Sequence, residues 1–101
     1  MPVSHIVVDA NVHGTRGEIA LLGLLIDTGA TYTVLSKEAL DEVGAIRIPG
    51  KIKIELGNGR AQEADVYAVR IEIAGREGPA FAVTFEGAKS VIGIQTLNHW
   101  V

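Results

Sequence analysis

Between residues 4 and 12 the side chains alternate, with Ile6, Val8, Ala10 and Val12 on one side and His5, Val7, Asp9 and Asn11 on the other. A period of two predicts a strand with one face buried. His13-Gly14-Thr15-Arg16-Gly17 supplies turn chemistry, two glycines among polar neighbours. The next stretch, Glu18 to Ile26, pairs with the first as a hairpin. Its second half is apolar on both faces, which predicts a path through the centre of the molecule. Gly23 interrupts that run and marks a bulge or a close backbone contact.

Ser36 to Gly44 predicts one short helix. Ser36 caps the free amides, Glu38 suits the positive N-terminal end, and Gly44 fits the stop. Lys51 to Leu56 then alternates charged and apolar residues before Gly57-Asn58-Gly59-Arg60, a strong hairpin turn signal. Alternation resumes from Val66 to Ile73, a second turn falls at Gly75-Arg76-Glu77-Gly78, and a strand follows from Ala80 to Phe85. After a loop over residues 86–90, Val91-Ile92 reads as a short buried strand and Ile94 to His99 as a terminal helical turn. The sum is all-β with one small helix, a sandwich or partly closed barrel. With 101 residues and no linker or low-complexity stretch, residues 1–101 read as a single domain.

Composition narrows the function classes. Apolar residues make up 48% of the chain and charged ones 21%, enough for a core. A domain this small buries only about two-thirds of its unfolded surface, which favours a partner subunit. Nine basic against twelve acidic residues, without a basic cluster, argue against a nucleic-acid partner. The absence of cysteine removes disulfides, thiol nucleophiles and thiolate metal sites. The longest apolar run, Ile19 to Ile26, falls far short of the ~20 residues that cross a bilayer. The start, Met1-Pro2-Val3-Ser4-His5, lacks signal-peptide character, so no membrane association and a cytoplasmic location are expected.

Asp27 draws attention on physical grounds. A carboxylate directly after Leu24-Leu25-Ile26 sits where a strand leaves the core, and burial raises the cost of its charge. Thr28 and Gly29 follow, a local hydrogen-bonding hydroxyl and a residue free to turn sharply. An acid on a tight turn suits catalysis; it equally suits a turn-forming role, since Asp, Thr and Gly are all common in turns.

The wider stretch from Leu24 to Ser36, with Asp27-Thr28-Gly29-Ala30-Thr31 at its centre, is followed by the glycine-tipped turn at Gly57-Asn58-Gly59 and by Val91-Ile92-Gly93 with Ile94-Gln95-Thr96-Leu97. This order resembles the retropepsin-like aspartic proteases, across nearly the whole chain in element order and most sharply over residues 24–36. The resemblance implies a closed, β-barrel-like acid-protease protomer with one short helix, acting as a symmetric homodimer on peptide or protein substrates. A single Asp-Thr-Gly agrees with that, because the chemistry needs two facing carboxylates.

Carried over, Asp27 is the catalytic acid, Thr28 cross-bonds to its symmetry mate, and Gly29 makes room for the substrate and offers its carbonyl to it. Ala30, Thr31, Val34, Ile92 and a flap at Gly57, Asn58 and Gly59 form the substrate-binding set. The nucleophile is water, so no metal, nucleotide or organic cofactor is implied. Ala30 offers no hydroxyl to the carboxylate pair, which implies a mildly acidic optimum.

The chain departs from the retroviral pattern where Thr31 and Ile94 replace the acid and arginine of an internal ion pair. That coordinated difference points to a cellular, bacterial- or archaeal-type branch. His5, His13 and His99 are too scattered for a metal site, and Glu38, Asp41 and Glu42 read as a solvated helix face. Two rival readings remain: a peptide-binding or dimerisation module that keeps the protease fold without turnover, and a small β-barrel in which Asp27 merely shapes a turn.

Overall fold

The computed structural model describes residues 6–27, 32–55 and 59–93, and of Asp27 the backbone alone. Strand β1 (Ile6–His13) pairs antiparallel with β2 (Glu18–Asp27), as the alternation predicts. Ala10 and Val12 turn inward and are buried, whereas Ile6 at the strand's start is 56% exposed. Gly23 forms the bulge: the register slips between Val8 and Ala10, φ reaches 66°, and the Gly23 N–H donates to Asp9 Oδ1 at 2.9 Å.

After the two-residue strand β3 (Thr33–Val34) comes helix α1 (Lys37–Val43), capped as its sequence predicts. The Ala39 N–H donates to Ser36 Oγ at 3.2 Å, and Gly44 takes the left-handed conformation at φ 69°. The β1–β2 turn staples the helix end, with Arg16 N–H donating to the Val43 carbonyl and Thr15 Oγ1 to that of Gly44. These bonds satisfy carbonyls that a helix terminus leaves unpaired. Ala39, Leu40 and Val43 are buried, while Glu38, Asp41 and Glu42 face solvent.

Strands β4 (Ile46–Glu55), β5 (Ala61–Ile73) and β6 (Arg76–Thr84) form an antiparallel meander, and β7 (Val91–Gly93) closes the set. The strand order is β1-β2-β7-β3-β6-β5-β4, and a further pairing of Ala10–His13 with Arg70–Ile73 joins β1 to β5. That pairing shuts β1, β2, β7, β3, β6 and β5 into a closed barrel. One edge of β5 therefore serves two neighbours: its first half carries β4, which projects as an arm, and its last residues seal the barrel against β1. The core holds Val12, Leu24, Leu35, Leu40, Tyr67, Val69, Ile71 and Ile92, and with about 0.8 kcal/mol per buried methylene this cluster dominates stability.

The fold is thus all-β, a closed barrel with one short helix. The structure adds β3, which the pattern did not predict, and departs from the pattern reading in three further places. β4 starts at Ile46 rather than Lys51, because the break at Pro49-Gly50 is a bulge inside the strand, with Gly50 at φ 97°. β5 starts at Ala61 rather than Val66: Ala61-Gln62-Glu63 lacks alternation since the arm is exposed, and ladder hydrogen bonds to β4 hold it. The second turn is Ala74-Gly75 rather than residues 75–78. Both residues have positive φ (53° and 80°), the geometry of a tight two-residue hairpin, and Gly78 lies buried within β6. The terminal helical turn expected at Ile94 to His99 lies outside the described residues.

Candidate active site

The central element is the end of β2. Leu24, Leu25 and Ile26 lie between β1 and β7, and parallel pairing with β7 sets Leu25 beside Val91, Ile26 beside Ile92 and Asp27 beside Gly93. The antiparallel ladder to β1 and the parallel ladder to β7 hold this strand from both sides as far as Ile26, and among the described residues β7 alone continues to Asp27. Asp27 is thereby held at the last position of the strand, directly after the apolar run Ile19–Ile26. Thr28, Gly29, Ala30 and Thr31 lie outside the described residues, as do Gly57 and Asn58.

Beyond that segment the chain returns at Thr33 as β3, which runs between β7 and β6. Thr33 is fully buried and its Oγ1 accepts the Gly93 N–H at 3.1 Å. A Cβ on Gly93 would overlap the Tyr32 carbonyl and sit 2.8 Å from Thr33 N, so only glycine lets these two backbones cross.

Register sorts the side chains of this region into two faces. Ile92 pairs with Ile26 on the core side and is 0% exposed. Its expected place on a subsite wall is corrected: a peptide cannot reach it, and it supports the strand from within. The other face carries a continuous apolar row, because Leu25 pairs with Val91, Val91 with Val34, and Val34 with Val83. Val83 pairs on with Val66, and Val66 with Ile48 at the base of the arm. Leu25, Val91, Val34, Val66 and Ile48 are half-buried in this row. Val34 lies on this face, and its partner Val91, not Ile92, shares it. The signal was in the sequence: in a strand two adjacent residues point to opposite sides, so only one of Val91 and Ile92 can face a cleft.

The β4–β5 hairpin is present where the flap is expected, with Glu55 paired to Ala61 and Gly59 at φ 80°. At its base Arg47 Nη2 donates to Asp65 Oδ1 at 3.1 Å, and Lys51 Nζ lies 3.6 Å from the same oxygen. The Arg47 hydrogen bond, with the charges of Lys51 and Arg47, holds the Asp65 carboxyl below the ordinary carboxylate range. Tyr67 is a core residue at 6% exposure. His13 lies on the barrel's outside between Glu18 (3.4 Å) and Glu72 (3.8 Å). Among the described residues no group of three His, Cys, Asp or Glu side chains is arranged to hold a metal ion, and no helix is long and apolar enough to cross a membrane.

A closed barrel with an acid at the end of β2, that strand backed by a hydrophobic-hydrophobic-glycine strand, is a retropepsin-like fold. Consistent with this, the family model described as "gag-polyprotein putative aspartyl protease" matches residues 8–99, and the chain belongs to that family. None of the curated proteins compared with it matches the chain.

Proposed function

We propose that the protein is an aspartic endopeptidase that works as a symmetric homodimer, each subunit contributing Asp27. The observation that carries this reading is the placement of Asp27 at the end of the core strand, in register with Gly93, in a chain of an aspartyl-protease family. One chain holds one Asp-Thr-Gly, so the second carboxylate comes from a second copy. Ile6 and Val7, 56% and 60% exposed, pair with Ile26 and Leu25 beside the acid. An apolar surface at that position supports approach of the partner there.

Two carboxyl groups facing each other cannot both ionise cheaply, so the pair holds one proton. The ionised member takes a proton from water, whose oxygen attacks the peptide carbonyl, while the protonated member donates to the carbonyl oxygen. Collapse of the tetrahedral diol breaks the C–N bond as the carboxyl that took water's proton passes it to the departing nitrogen, while a diol hydroxyl returns a proton to the other carboxylate. Thr28 ties the two acid loops together, Gly29 gives the peptide room and a carbonyl, and Ala30 and Thr31 border it. The tip at Gly57, Asn58 and Gly59 covers the extended peptide. The row of Leu25, Val34 and Val91 favours apolar side chains beside the scissile bond.

The test is cleavage of an extended peptide library by the wild type and by Asp27→Asn. The variant is expected to lose at least about 1,000-fold in kcat while its sedimentation as a dimer is unchanged. A wild type that binds peptide without cleaving it establishes the non-catalytic module instead. A monomer at all concentrations removes the dimeric mechanism.

A further inference from the structure

We infer that Thr33 is a positioning residue for Asp27, acting through Gly93; this rests on the aspartic-peptidase reading above. The chain leaves β2 at Asp27 and re-enters the sheet at Thr33, and both points are fixed to the same glycine. At the first, Asp27 stands opposite Gly93 in the parallel ladder. At the second, Thr33 Oγ1 accepts the Gly93 N–H at 3.1 Å across sixty residues of sequence. The Tyr32 carbonyl occupies the space a Gly93 side chain would need, so the two crossing backbones are in contact as well as hydrogen-bonded.

Thr33 is 0% exposed, which keeps water from replacing its hydroxyl as the acceptor. Beyond the β3 ladder, a buried hydroxyl therefore ties the returning end of the acid segment to Gly93, the residue opposite Asp27. Valine has the same shape and fills the same space against Ala82, its register partner, but it offers no acceptor. Loss of that tie loosens the crossing that sets Asp27 against the partner's carboxylate, and displacements near 1 Å at a reacting group lower rates by about 100-fold. Peptide binding on the apolar row is left in place, because Leu25, Val34 and Val91 belong to the opposite face.

The experiment compares wild type, Thr33→Val, Thr33→Ser and Asp27→Asn by steady-state cleavage and by amide hydrogen exchange. Thr33→Val is expected to lower kcat about 10- to 100-fold with KM within about twofold. The same variant is expected to speed exchange at the Gly93 amide at least about tenfold, while Thr33→Ser, which keeps the hydroxyl, recovers most of both. The inference is overturned if Thr33→Val keeps the wild-type kcat, or if Thr33→Ser falls as far as Thr33→Val, which would make the methyl group responsible. It is also overturned if kcat falls with Gly93 exchange unchanged. If the wild type shows no cleavage that Asp27→Asn removes, the peptidase reading fails and the positioning role falls with it. Gly93 exchange then reports separately whether the hydroxyl tie exists.

Discussion

The end of β2 and the β4–β5 arm belong to one sheet but are held in opposite ways. Up to Ile26, next to Asp27, the backbone is paired on both sides, Ile92 and Thr33 are fully buried, and two chain segments cross at Gly93 with no room for a methyl group. In the arm, across the ten described residues of β4, none is fully buried, and ladder hydrogen bonds plus the ion pairs at Asp65 hold it. The contrast fits the chemistry proposed. A carboxylate that must meet its counterpart within hydrogen-bond reach needs a rigid mount, whereas a segment that admits and covers a peptide needs low local stability.

Glycine substitutions break the comparison most sharply. Gly93→Ala is expected to destabilise by more than about 4 kcal/mol or to prevent folding, since backbone on both sides must move. Gly50→Ala, in the β4 bulge, meets no atom within 4 Å and strains only its positive φ. Its cost is expected near 1 kcal/mol. Urea denaturation of both variants measures the difference, and equal losses would show that the arm is packed as tightly as the acid's mount.

The adjacent pair Ile92 and Val91 sharpens it further. Ile92→Ala empties a core position and is expected to cost about 2–5 kcal/mol with little effect on KM in the surviving folded fraction. Val91→Ala trims the half-buried opposite face, so its stability loss is expected below about 1.5 kcal/mol while KM for peptides with bulky apolar residues rises. If the two variants trade these effects, the face assignment is wrong.

What was legible in the sequence follows the same division. Helix α1 was readable to its caps because Ser36 and Gly44 act locally, and β1, β2 and β7 were readable because burial writes a strong apolar pattern. The lower half of the arm was not, since Ala61–Glu63 pairs through its backbone and buries nothing that would mark the strand. β3 was missed because two residues carry no period, and its existence depends on β6 and β7, far along the chain. Asp27 was legible as a candidate from its place after an apolar run. The crossing at Gly93 and the role of Thr33 were not, because they are contacts between segments sixty residues apart.

The smallest expected effect lies at the base of the arm. Asp65 is held below the ordinary carboxylate range first by the Arg47 hydrogen bond and then by the nearby cationic charges, with Lys51 ahead of Arg47. A carboxylate whose folded pKa is depressed contributes stability that is complete above its unfolded value, near 4, and is lost as pH falls through the lower folded value. Asp65→Asn removes the charge at every pH. The wild-type advantage over the variant is therefore expected to be constant from neutral pH to about pH 5 and to shrink below about pH 4. The pairs are partly exposed, so the advantage should stay under about 1 kcal/mol and weaken in high salt. Amide exchange within Ala61–Asp65, followed against pH in both proteins, measures it where global melting is too coarse. An advantage that persists unchanged well below pH 3 would assign the arm's stability to its backbone ladder alone. An active endopeptidase would then keep its cover equally closed throughout the acidic range in which its carboxylate pair works.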